Sequence, residues 1–152
     1  MVHLVDTNVL LRTVDQTHSM HRVAVSALKT LIGAGATVCF TPQNIIEFWN
    51  VCTRPLDRNG LGLSPHEADA TAARLEALLT LLPDNPSIYP EWRRLVATHN
   101  VSGVQVHDAR LVAVMNVYDV DSIITFNGRD FSRYPHIRAV HPQDLSRPDS
   151  AN

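Results

Sequence analysis

The sequence predicts an α/β protein, a three-layer α/β/α sandwich around a mostly parallel central sheet, and three observations carry the prediction. Short apolar runs at 2–5, 37–40, 122–125 and 137–140 have the length of buried strands. Between them lie longer segments whose apolar residues recur every three or four positions, as on a helix with one buried stripe. The first two runs end on helix-starting residues, Asp6-Thr7-Asn8 and Thr41-Pro42. Strands alternating with helices in this way build a parallel sheet covered on both faces, whose ligands bind at the carboxyl ends of the strands.

The elements follow in order. Residues 2–5 form a strand that stops at Asp6, and Val9, Leu10 and Leu11 continue as a helix. Met20, Val23, Ala24, Ala27, Leu28 and Leu31 form a helical stripe over 19–31, closed by Gly33 and Gly35. After the strand at 37–40, Pro42 fits the first turn of a helix because its missing N–H has no partner there anyway. Residues 54–63 read as a loop. Ser64-Pro65-His66-Glu67 is a capping box that launches a helix running to Leu82, where Pro83 stops it. A brief extended piece at 87–88 precedes a helix at 90–99, and a loop at 101–106 leads to a helix at 107–118 that carries Asp108 in its first turn. Asp130 to Tyr134 form a short turn or helix between the last two strands.

With 152 residues the chain suits one domain with one core, expected over 1–145, followed by a loose polar tail at 146–152. No apolar run approaches the roughly 20 residues of a membrane span. The amino terminus lacks a basic leader and a small-residue cleavage site, so a cytoplasmic location is expected. Cys39 and Cys52 make neither a disulfide framework nor a zinc knuckle, and the eight histidines are scattered without a ligand pattern. A formal charge of −2 excludes binding of nucleic acid by bulk electrostatics, so any such contact is local. Lys29 is the only lysine; the other basic residues are arginines, whose planar fork suits phosphate.

Four carboxylates are candidates for chemistry. Asp6 closes the first strand, where it can equally cap the next helix. Glu47 interrupts the apolar Ile45, Ile46, Phe48 and Trp49 and shares a helix face with Gln43 and Asn50, a stripe that can also simply face water. Asp108 suits the helix dipole with or without a further role. Asp130 stands at another helix start. Three of the four lie at strand ends or helix starts, which on a parallel sheet converge on one edge. Crowded carboxylates repel unless a divalent cation neutralises them, and hard oxygen ligands select magnesium or manganese. Such a site suits hydrolysis of a phosphodiester by water. The sequence has no nucleophile elbow and no phosphate loop ending in Lys-Ser or Lys-Thr.

The blocks VDTNVLL, TPQNIIEFWNVCTRP, VHDARLVAVM and ITFNGRDFSRY, in this order and closed by His141-Pro142, resemble those of a PIN domain. The resemblance spans most of the chain. It implies a parallel-sheet sandwich that cleaves single-stranded RNA with Mg2+ or Mn2+, in many members as the VapC-like toxin of a toxin–antitoxin pair. It implies that Asp6, Glu47 and Asp108 are metal-binding acids, that Thr7 and Thr125 steady the site, and that a cognate antitoxin and a second copy of the chain are partners. The helix beginning at Ser64 is the candidate face for either. The family's fourth acidic position falls on Asn127, an amide, which leaves open whether Asp130 takes that place and keeps a catalytically silent PIN-like interaction module as the alternative. Arg54, Arg110 and Arg129 are candidate phosphate clamps, and Trp49 and Trp92 read as core residues or base-stacking surfaces. A receiver-type domain needs a lysine after its last strand, and a haloacid dehalogenase-type phosphatase needs Asp-x-Asp where this chain has Asp6-Thr7-Asn8; neither fits.

Overall fold

The computed structural model of the protein describes residues 1–145, so the tail expected at 146–152 lies outside the described residues. The elements are β1 (Val2–Val5), α1 (Thr7–Val14), α2 (His21–Gly33), β2 (Thr37–Phe40), α3 (Pro42–Thr53), α4 (Pro65–Leu78), β3 (Thr80–Leu81), α5 (Ile88–Thr98), α6 (Gln105–Val117), β4 (Ser122–Ile124) and β5 (Arg138–Val140). Single 3₁₀ turns occupy Leu56–Arg58, Gly128–Phe131 and Pro142–Asp144.

The five strands are ordered β3-β2-β1-β4-β5, and every pairing is parallel. From β1 the chain winds outward through β2 to β3, then returns to the other side of β1 for β4 and β5. The strand order therefore reverses between β1 and β4, and a crevice opens at the carboxyl ends of strands at such a switch point.

Period-two alternation in the strands fixes the layers. Leu4, Cys39 and Ile123 point to one face, where α5 and α6 cover them with Ile88, Leu95, Leu111, Val112 and Met115. Val5, Val38, Phe40 and Ile124 point to the other, against Val9 and Leu10 of α1, Leu28 of α2, Phe48 of α3 and Leu75 of α4. These are the three layers that the sequence predicts. Both cysteines are free and buried. His3 is also buried, and its Nδ1 lies 2.8 Å from the Ser122 hydroxyl on the neighbouring strand, a structural contact. Among the described residues no helix is long and apolar enough to cross a membrane.

Local signals fix most of the boundaries. Thr41 and Asn44 form a capping box at the start of α3, and Ser64 and Glu67 another at the start of α4. Two expectations are corrected. The helix from Ser64 does not reach Leu82: it ends at Leu78, and Thr80–Leu81 pair with Cys39 and Phe40 as β3. The residues at 87–88 are not extended, since Ser87 has helical backbone angles and α5 starts at Ile88. Pro90 then falls in the first turn of α5, where an N–H would lack an intrahelical acceptor.

The loop after α3 folds back on the helix end through Leu61 N–H to the Val51 carbonyl, at 3.0 Å, and Leu63 N–H to the Cys52 carbonyl, at 2.8 Å. Gly60 is buried in this turn, and a Cβ there would stand 1.9 Å from the Arg54 carbonyl oxygen. Because that neighbour is backbone, relief requires the loop to move. Gly60→Ala is expected to lower stability by about 1–3 kcal/mol in urea or thermal unfolding. Gly33→Ala, with nothing within 4 Å of its Cβ, is expected to leave stability unchanged or slightly raised.

Candidate active site at the strand order reversal

The end of β1 delivers Asp6 into the crevice. Its backbone is extended as the N-cap of α1, and one carboxylate oxygen accepts the Thr7 N–H at 2.8 Å. The other accepts the hydroxyl of Thr125, which follows β4, at 2.7 Å. Capping of the helix and engagement in the site are thus performed by different oxygens of one side chain. Asp6 N–H also donates to the Ile124 carbonyl at 2.9 Å, which holds the two strand ends together.

Glu47 reaches the same crevice from α3. One of its oxygens accepts the Thr7 hydroxyl at 3.1 Å and the other accepts from Gln43 Nε2 at 2.7 Å. The stripe carrying Gln43 and Glu47 therefore turns inward; only Asn50, at its far end, is exposed. Gln43 also donates to the His107 carbonyl at 2.9 Å, which ties α3 to the start of α6. Asn44 is fully buried: its amide oxygen accepts the Thr41 N–H and hydroxyl, and its Nδ2 donates to Thr7 Oγ1 at 3.1 Å. From the sequence Gln43 is placed only on a polar stripe with Glu47 and Asn44 goes unremarked, whereas both hydrogen-bond the side chains of this crevice. The available signal was Asn44 three residues after Thr41, the spacing of a capping box.

Asp108 is half-buried in the first turn of α6, and among the described residues no donor hydrogen-bonds its carboxylate. Asp130 is exposed on the 3₁₀ turn after β4. Asn127 is exposed too, and its N–H donates to Thr125 Oγ1 at 3.0 Å. Asn8 bridges the same segment, with Nδ2 3.4 Å from Thr125 Oγ1.

These groups share one negative field. Burial pushes the Asp6 carboxyl up to about 6 against the opposing hydrogen bonds from Thr125 and Thr7, and the charges of Glu47 and Asp130 add to the rise. Burial likewise pushes Asp108 up to about 7, helped by Asp6, Asp130 and Glu47 and opposed by Arg133. Burial first and neighbouring acids second thus raise Asp6 and Asp108 together, an electrostatic cost that a divalent cation would relieve. Among the described residues no three His, Cys, Asp or Glu side chains form a group that could hold a metal ion. An open, oxygen-only set suits a hydrated magnesium ion, which keeps several waters and needs only one or two direct carboxylates. Asp6, Glu47 and Asp108, the three expected ligands, act on one another's charge here but are not drawn into one three-ligand group.

The family model of the PIN domain matches residues 3–137. The chain belongs to the PIN domain family. Solved structures share the fold of this PIN domain at low identity. VapBC2 from Rickettsia felis, bound to a DNA fragment from its promoter, matches with a TM-score of 0.69 at 10% identity, covering 93% of this chain and 98% of that one. VapC20 from Mycobacterium tuberculosis, a toxin that cleaves the sarcin–ricin loop, matches with a TM-score of 0.65 at 18% identity over 88% and 95% of the two chains. FitAcB from Neisseria gonorrhoeae matches with a TM-score of 0.64 at 20% identity over 95% and 100%. No curated protein matches the sequence significantly.

The raised acids give the metal-free protein a defined pH response. The folded chain retains protons on Asp6 and Asp108 that the unfolded chain releases above the ordinary value of 3.8. The resulting stabilisation is complete below that value and is lost as the pH climbs to about 7, the level of Asp108. In EDTA the melting temperature is therefore expected to fall between pH 5 and pH 8. Asp108→Asn is expected to raise it at pH 8 and flatten the profile; an equal or lower melting temperature for that variant at pH 8 would contradict the shared field.

Proposed function

We propose that this PIN domain is a divalent-metal-dependent endoribonuclease that hydrolyses single-stranded RNA, acting as the toxin of a toxin–antitoxin pair. The observation that carries the reading is the group of mutually repelling acids from four separate segments, gathered where the strand order reverses. Asp6 and Asp108 hold Mg2+ or Mn2+, and Glu47 either joins them or orients the attacking water. When bound, the cation neutralises the phosphate and lowers the pKa of a water.

The residues of the chain supply orientation. Thr125 and the Thr7 N–H fix the two oxygens of Asp6, while the Thr7 hydroxyl and Gln43 fix those of Glu47. Neither acid has to reorganise as the reaction proceeds, which is where preorganised electrostatics lower a barrier. Water attacks phosphorus in line, the bond to the 3′ oxygen breaks and that oxygen takes up a proton, leaving 5′-phosphate and 3′-hydroxyl ends. In this reading Asp130, whose charge reaches both Asp6 and Asp108, takes the fourth acidic place that Asn127 does not fill.

The antitoxin belongs to the same proposal, supported by relatives solved as VapBC complexes. A groove of about 1070 Å³ between α2 and α4 offers it Val25, Leu28, Ile32, Leu75 and Leu78, with the cationic Lys29 and Arg74 exposed beside them.

The test is a digest of single-stranded RNA with and without manganese. Wild-type protein is expected to cut only with the metal, and Asp6→Asn to lose about 100-fold or more in rate. Manganese is also expected to raise the melting temperature of wild type by binding the folded state, and to do so far less for Asp6→Asn. Undiminished cleavage by Asp6→Asn, or in excess EDTA, overturns the mechanism. No melting shift together with no cleavage points instead to the silent module.

A further inference from the structure

A further cavity has Arg110 in its wall, and Arg110 hydrogen-bonds Gln43, the donor to Glu47. It occupies about 420 Å³ between the first turns of α5 and α6 and is walled by Asn85, Ile88, Tyr89, Trp92, His107 and Arg110. This volume falls within the roughly 300–1,000 Å³ of small-ligand pockets. Tyr89 and Trp92, one helical turn apart, stack with ring centroids 6.2 Å apart and planes 28° from parallel. The indole N–H of Trp92 donates to the Val106 carbonyl at 2.8 Å, which holds that ring, whereas Tyr89 is 62% exposed. An exposed aromatic leaning on a fixed one leaves a flat apolar surface open to solvent.

The cavity is one side chain from Glu47. Arg110 donates to Gln43 Oε1 at 3.2 Å, and Gln43 in turn donates to Glu47 and to the carbonyl of His107, the residue preceding Asp108. Arg110 also pairs with Asp84 at 3.0 Å, so it stands on the cavity wall with its guanidinium fixed. The exposed His107 adds a second nitrogen base on the same wall. Flat aromatic faces next to an arginine are how proteins hold single strands: unpaired bases stack on the rings while cations meet the backbone.

We propose that this cavity receives one unpaired base of the RNA strand, flanking the bond that is cut, with Tyr89 as the stacking residue. The inference rests on the nuclease reading and adds a specificity subsite to it. Tyr89 sets the affinity and base preference at a single position on one side of the cut, and Trp92 supports it from below. A second copy of the chain or an antitoxin segment at the same place would use the apolar wall but leave RNA cleavage indifferent to Tyr89.

The experiment uses the full chain and a single-stranded RNA substrate series carrying 2-aminopurine at successive positions around the cut site. Tyr89→Ala is expected to raise KM about tenfold, the effect of one lost base stack, with kcat little changed. Tyr89→Phe, which keeps the ring, is expected to stay within about twofold of wild type on the same grounds. In Asp6→Asn, whose slow cutting leaves the substrate intact during the reading, 2-aminopurine fluorescence is expected to be quenched at one position, and the quench to vanish when Tyr89→Ala is added. An unchanged KM and unchanged cut-site preference in Tyr89→Ala, while wild type still cleaves, overturns the subsite and leaves the nuclease reading standing. Failure of wild type to cut or bind any RNA overturns both. Melting temperatures of the Tyr89 variants within a few degrees of wild type exclude misfolding as the cause.

Discussion

The carboxylate of Asp6 is the point on which the site depends. One oxygen terminates the open N–H end of α1 and the other fastens the end of β4, so the same ion pins a helix, two strands and the crevice between them. Its neighbours are arranged around that commitment. Thr7 must follow it to reach Glu47, Asn44 must be buried to hold Thr7, and Gln43 must bridge to α6 so that Asp108 faces the same space. Hydrogen bonds of this kind gain little individually over water, yet breaking one leaves a buried polar group without a partner. The network therefore fixes geometry more than it adds stability.

The cost is electrostatic. Burial opposes the ionisation of Asp6 and Asp108 by removing solvent, and the charges of Glu47 and Asp130 add to it. Natural folds keep such unfavourable clusters where chemistry requires them. Here the surrounding layers absorb the cost: both faces of the sheet are closed by continuous apolar clusters, and Arg133 sets a positive charge against Asp108.

Much of this was legible in the sequence because it is local. The strands at Val2–Val5 and Thr37–Phe40 match their predicted bounds, since a tight apolar run between capping residues leaves little choice. The capping box at Ser64 announced α4, and Thr41-Pro42 announced α3. What failed was non-local. Leu75, Leu79 and Leu82 continue a helical stripe on paper, but Thr80 and Leu81 gain more by pairing with β2, and no neighbour in sequence reveals that partner. Asp6 and Asp108 could be read from strand end and helix start. The roles of Gln43 and Asn44 could not, because a polar stripe beside Glu47 looks the same whether it meets water or a second layer of hydrogen bonds. Trp92 proved to be neither wholly core nor wholly surface, a state that periodicity alone does not distinguish.

The hydrogen bond from Thr125 to Asp6 joins residues 119 positions apart, and its length along the chain has a consequence for biosynthesis. Asp6 and Glu47 emerge early from a ribosome, while Asp108, Thr125 and Asp130 come from the last third. The crevice is unfinished until that stretch has been translated and β4 has docked against β1, a long-range contact of the kind that forms late. An incomplete or nicked polypeptide carries the acids without their arrangement. Completion of the fold thus governs the crevice, which takes shape only once β4 and the turn after it have joined the segments made long before.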